Sequence, residues 1–237
     1  MRNYALYLES GPQKKTTMVH VLELLGCVAN GKTMDEALAA TPDAIRAYLT
    51  YLARHGETVD PRTPFRTRVA EQLTKGDYLG QGSPQAVYAP DLRPVSPREL
   101  SRIVRWLEWS RADLLALAKG IDDRRLRAKP ERGRSIYEIL RHVGETEPHY
   151  VTSFLGRVKE LTAAGNAIYH KRVDIREGLR VEREALIERV LAVTPEERRR
   201  IDRPAGRVHT LRRSLRRTLE HEWEHRQEIA ARFGRPA

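Results

Sequence analysis

The chain is poor in the residues that build covalent frameworks and membrane spans. Its 237 residues include one cysteine, Cys27, which excludes an internal disulfide and any metal cluster held by several thiolates. No apolar run approaches the ~20 residues that a bilayer crossing requires, and no low-complexity tract interrupts the sequence. An apolar signal core is also missing: Met1-Arg-Asn-Tyr-Ala5 leads directly into an alternating pattern. The expectation is a cytoplasmic protein with no membrane partner.

Charge, by contrast, is abundant. Asp, Glu, Lys and Arg make up 32% of the residues and the formal net charge is +11. The excess is unevenly placed, because residues 1–95 hold 11 Lys/Arg against 10 Asp/Glu while residues 96–237 hold 32 against 22. Asymmetry of this kind suits a surface that meets nucleic acid, with Arg198 to Arg200, Arg203, Arg207, Arg212, Arg213, Arg216 and Arg217 as its members. The acidic residues are interleaved throughout, which favours a salt-bridged helical surface over that reading.

Two halves follow from the patterning, giving an α+β class. Tyr4, Leu6 and Leu8 alternate with Asn3, Ala5 and Tyr7 as in a half-buried strand. Gly11-Pro12 marks a turn, and Met18 to Leu22 reads as the returning strand. Thr33 and Glu36 form a capping box ahead of a helix whose inward face holds Ala37, Leu38, Ala44, Ile45, Tyr48, Leu49 and Leu52. Pro42 within it predicts a kink or a break, and Gly56 ends it. The stretch Leu24-Leu-Gly-Cys-Val-Ala-Asn-Gly-Lys-Thr-Met-Asp-Glu-Ala37 resembles the HicB-like family, with Leu25 where that family usually has proline. The resemblance implies a βββα domain over residues 1–57, a three-stranded sheet with one helix packed on it, that acts by binding. Residues 58–95 read as an extension and linker: Gly80 to Pro84 is a turn cluster and Gln85 to Tyr88 a short strand.

Residues 96–237 read as an all-α four-helix bundle. Ser96-Pro97-Arg98-Glu99 and Ser135 with Glu138 are helix starts. Further helices are expected from near Val173 to Leu191, briefly after Thr194-Pro195, and from Thr210 to Ala231. Trp106, Trp109 and Trp223 serve either as bundle core or as the lining of a cleft.

Three of the eight histidines stand where a metal site needs them. His221 and His225 lie four residues apart, one turn above the other on one helical face, and two such imidazoles can share an ion at about 2.0–2.1 Å each. His142 follows the inward Ile139 and Leu140 on the second helix and supplies the third ligand. His149 shares its stripe but lies ~10 Å further along the axis, which makes it pocket lining or surface. His20, His55, His170 and His209 lack a partner at ligand spacing. The run His221-Glu-Trp-Glu-His225 also satisfies the short metalloprotease pattern, but only twelve residues follow it. Glu222 therefore reads as a charged face residue pairing with Arg226. Glu145, one turn beyond His142, is the candidate catalytic carboxylate, with an outer-shell or surface role as its alternative.

The blocks Ile139-Leu-Arg-His142-Val-Gly-Glu-Thr-Glu147 and Thr210-Leu-Arg-Arg-Ser-Leu-Arg-Arg-Thr-Leu-Glu-His221-Glu-Trp-Glu-His225-Arg-Gln-Glu-Ile229 resemble the DinB superfamily of metal-binding helical bundles, over residues 97–232. That resemblance implies zinc or nickel on the three histidines, with open positions for water or substrate. It also implies a metal-dependent hydrolase or a transferase using a low-molecular-weight thiol. The alternative is a non-catalytic binder of a partner or nucleic acid with a structural metal. The partners expected are a small-molecule substrate and a second copy of the chain.

Overall fold

A computed structural model describes residues 1–11 and 14–234, and the chain forms two compact units. One is Met1–Arg93 with Arg203–Val208; the other is Pro94–Asp202 with His209–Ala237. Pro12, expected in the first turn, lies outside the described residues. Among the described residues no helix is long and apolar enough to cross a membrane.

The first unit is a sheet with a helix on it. Strand β1 (Arg2–Gly11) pairs antiparallel with β2 (Lys14–His20), and β2 pairs antiparallel with β3 (Val28–Gly31). Tyr4, Leu6 and Leu8 are buried, as their period of two requires. Helix α1 (Met34–Arg54) packs on β3 and β2. Its Thr33 hydroxyl accepts from the Glu36 amide, while the Glu36 carboxylate takes the Lys32 amide, one residue earlier than a capping box would place it. Gly31 has to be glycine: a Cβ there would lie 2.3 Å from the Ala37 amide nitrogen. Cys27 is core packing.

Helix α1 continues through Pro42 without a break, and the proline cannot bond to the Leu38 carbonyl. Two expectations for this unit need correction. The sheet has four strands in the order β3-β2-β1-β4, with β4 (Phe65–Leu73) parallel to β1. It falls within the stretch read as an extension, where mostly exposed residues leave no alternation to read. Gln85 to Tyr88 is not a strand, and a short 3-10 turn (Ala89–Leu92) follows it. The turn cluster has a specific task, since the Gly82 and Ser83 amides donate to the buried Glu9 carboxylate.

The second unit is a helical bundle. Its long members are α2 (Pro97–Ala118), α4 (Ile136–Leu155), α6 (Ile175–Leu191) and α7 (Leu211–Ala231). Complete capping boxes, Ser96 with Glu99 and Ser135 with Glu138, open α2 and α4. Helix α7 packs on α4 and α2, and α6 on α2 and α4. Leu114, Ile139, Leu140, Val143, Leu179 and Ile229 meet in one buried cluster. Two shorter helices supplement the four: α3 (Asp123–Arg127) and α5 (Lys159–Tyr169), the latter against α4 and α6. Thr194-Pro195 does start a capped turn, with Thr194 and Glu197 bonding reciprocally, but no helix continues from it.

Candidate metal centre

Two capped helices bring the three predicted histidines together. On α4, the buried Ile139, Leu140 and Val143 turn that face toward α7, which places His142 in the seam. On α7, the Thr210 hydroxyl accepts from the Arg213 amide and sets the start of the helix. His221 and His225 then fall one turn apart on the side that meets α4. The result is a triad of nitrogens. His221 Nε2 lies 3.1 Å from His142 Nε2 and 3.2 Å from His225 Nε2, and the three ligand atoms all fall within 4.8 Å of one another.

These separations match the requirements of an ion. Ligand nitrogens at about 2.0–2.1 Å from a metal stand roughly 3.3–3.4 Å apart around a tetrahedron and about 2.9 Å apart across a right angle. The two distances from His221 lie between those values. The electrostatics agree. Burial pushes His142 down to about 4, and the nearby His225 and Arg134 add to that effect. Burial, followed by His225 and Arg217, pushes His221 well below the ordinary 6.5. Neutral rings leave lone pairs free for a cation.

The surrounding side chains fix the rings. The Nδ1 of His225 lies 2.9 Å from Glu228 Oε2, so the proton sits on Nδ1 and Nε2 keeps its lone pair. That hydrogen bond holds the Glu228 carboxyl below its usual range, helped by Arg134 and Arg232. Thr146 Oγ1 stands 3.4 Å from His142 Nδ1, and the Tyr150 ring packs edge-on against His221. Glu228 was not anticipated, although its i,i+3 spacing from His225 was available as a signal.

Other predicted residues fall elsewhere. Glu145 is not in the histidine group: its carboxylate pairs with Arg141 at 2.6 Å and lines a separate cleft, together with the exposed His149. Trp106 and Trp223 are buried in the bundle.

Glu222 corrects an expectation. It is buried, not a solvated face residue, and it does not pair with Arg226, which binds Asp113 at 2.8 Å. Arg111 Nε donates to Glu222 at 2.5 Å and Arg183 Nη2 at 2.8 Å, and together they hold its carboxyl down at about 2 against the opposing effect of burial. Both arginines also bind Glu147, and Glu182 lies 3.6 Å from Arg111. A five-residue ion network thus joins α2, α4, α6 and α7, with Glu222 as the member from α7. Three members of the arginine stripe are corrected too. Arg213, Arg216 and Arg217 are buried, and the last two pair with Glu220, so they offer nothing to a phosphate backbone.

The family profile described as the DinB superfamily matches residues 107–229, just over half of the chain and inclusive of all three histidines. No curated protein and no solved structure matches.

Proposed function

The chain belongs to the DinB superfamily, and on that premise we propose that it holds one divalent ion, zinc or nickel, on His142, His221 and His225 and acts as a metal-dependent enzyme, a hydrolase or a thiol-dependent transferase. The observation that carries this reading is the convergence of three imidazole nitrogens in a group that no fourth protein ligand joins among the described residues. Structural zinc sites close with four protein ligands, whereas catalytic ones keep three and leave a position for substrate.

When bound, the ion supplies Lewis acidity toward an oxygen or sulfur of a small molecule. The side chains supply the setting. Neutral imidazoles leave the centre cationic, which suits an anionic oxygen or a thiolate. Glu228 keeps the Nε2 of His225 presented, and Tyr150 limits the approach of water on the His221 side. Glu145 is proposed to hold a proton or orient the substrate once released from Arg141, a partly exposed pair of low cost to break. In the transferase reading a low-molecular-weight thiol is the co-substrate. The HicB-like stretch Leu24–Ala37 supports a role for the first unit as a docking module, for a second copy of the chain or another partner.

Elemental mass spectrometry of the purified protein tests this, beside the variant His142→Ala, His221→Ala, His225→Ala. The expected result is about one equivalent of zinc or nickel, lost in the variant. The loaded protein should then hydrolyse esters or transfer a thiol, with activity abolished by chelation and restored by the ion. Absence of metal even after reloading would overturn the reading.

A further inference from the structure

Apart from the histidines, α4 and α5 frame a cleft of about 660 Å³, within the size range of small-molecule sites. Its chemistry is one-sided. The lining carries one carboxylate, Glu145, already neutralised by Arg141. It also carries Arg157, exposed at the end of α4 and without an ion-pair or hydrogen-bond partner among the described residues. His149 and the Asn166 side chain are likewise without partners and exposed. The hydroxyls of Thr152 and Thr162 donate back to the Pro148 and Val158 carbonyls, which leaves Arg157, His149 and Asn166 as the free donors. The net free charge of the lining is the guanidinium.

The rest of the cleft is flat and apolar. Gly165 forms its floor, where a Cβ would come within 3.2 Å of Pro148 Cγ. The Tyr169 ring is 54% exposed, and the Arg141 guanidinium sits 5.3 Å from its centre, which steadies the ring as a wall. A half-exposed aromatic beside a proline and a glycine offers a stacking surface, and a free guanidinium beside it offers a bidentate anion contact. We propose that this cleft binds a small molecule that carries a carboxylate or phosphate on a flat ring, with the anion on Arg157 and His149 and the ring between Tyr169 and Pro148. His142, His221 and His225 do not line the cleft, so the inference does not rest on a metal at those residues.

Phenyl phosphate and benzoate are suitable probes, titrated into the full-length protein and followed by two-dimensional amide NMR. The expected result is saturable binding of at least one of them, with shifts at Arg157, Asn166 and Tyr169. Phenol, which lacks the anion, should bind far more weakly. Arg157→Gln, an exposed substitution whose fold is checked by circular dichroism, should weaken the anion about tenfold or more. Phosphate preferred over benzoate would assign a phosphorylated ligand, and the reverse a carboxylic acid. Three outcomes would each overturn the proposal: no saturable binding by either anion, unchanged affinity in Arg157→Gln, or shifts confined to the three histidines.

Discussion

His225 illustrates how one side chain prepares another for coordination. Its Nδ1 is tied to Glu228, which is tied in turn to Arg134 and Arg232. Ring orientation and tautomer are therefore set before any ion arrives, and the cost of ordering the ligand is reduced. Glu228→Gln keeps the shape but removes the charge. Metal affinity, measured by competition with a chelating dye, should fall about 10–100-fold, with the unfolding midpoint of the metal-free protein little changed. Equal affinity would mean that Glu228 plays no part in presenting His225. At this scale the histidines were legible because an i,i+4 pair and an inward neighbour on another helix are geometric signals in a sequence. Glu222 was misread for the opposite reason. Pairing it with Arg226 at i,i+4 assumes a helix with one solvated face, whereas α7 is buried on nearly every side from Leu211 to Trp223, so Glu222 and Arg226 find their partners on other helices.

Helix α5 shows what close packing demands of an element. Three glycines sit around it: Gly144 on α4, Gly165 within it and Gly178 on α6. A Cβ on Gly178 would stand 2.6 Å from Ile168 Cγ1 and 2.9 Å from Val173 Cγ2, whereas one on Gly144 would meet Ile168 Cδ1, the end of the same side chain, at 2.7 Å. Alanine favours a helix over glycine by roughly 0.5–1 kcal/mol, yet overpacking here should outweigh that gain and destabilise Gly178→Ala by about 1–3 kcal/mol. Gly144→Ala should cost less, and adding Ile168→Val, which deletes Cδ1, should recover most of the loss. The same addition should do little for Gly178→Ala, because valine keeps the atom at Cγ1. Urea midpoints at constant m-value would decide it, and full rescue of both variants would show that the contacts are not the cause. Neither α5 nor β4 was legible beforehand. Helix α5 follows Val158, which offers no side-chain cap, and carries Gly165, and β4 hides its period by exposing both faces; tertiary contacts supply what local pattern lacks.

Across the bundle, the excess of arginine serves the interior. Arg111 and Arg183 each reach carboxylates from other helices, binding Glu147 of α4 and Glu222 of α7, and donate to the carbonyls of Leu179 and Leu107 respectively. The two guanidiniums face three carboxylates, and Glu182 on α6 is the odd one. It is fully buried, and neither of its oxygens has a hydrogen-bond donor among the described residues. Burial, then the charge of Glu147, push it well above the ordinary 4.5, and Arg111 and Arg183 offset only part of that. A carboxyl whose folded value is raised binds its proton more readily in the folded chain. Its effect on stability is therefore most favourable below the unfolded value and turns unfavourable as pH rises through the folded one. Glu222, held at about 2, runs the other way: its contribution is present above the unfolded value and is lost as pH falls from about 4.5 toward about 2. Glu182→Gln mimics the protonated acid and removes a negative charge from beside Glu147. At pH 8 that variant should match or exceed the parent by roughly 1–3 kcal/mol, with the difference shrinking toward pH 5. Glu222→Gln should instead destabilise at pH 8 by about 3 kcal/mol or more, because it leaves two buried guanidiniums short of an anion. Two substitutions of the same kind, one helix apart, are thus expected to have opposite signs. Urea unfolding of both variants from pH 5 to pH 8 would show it, and a Glu182→Gln variant less stable than the parent at pH 8 with the same pH slope would mean that Glu182 is ionised in the folded bundle.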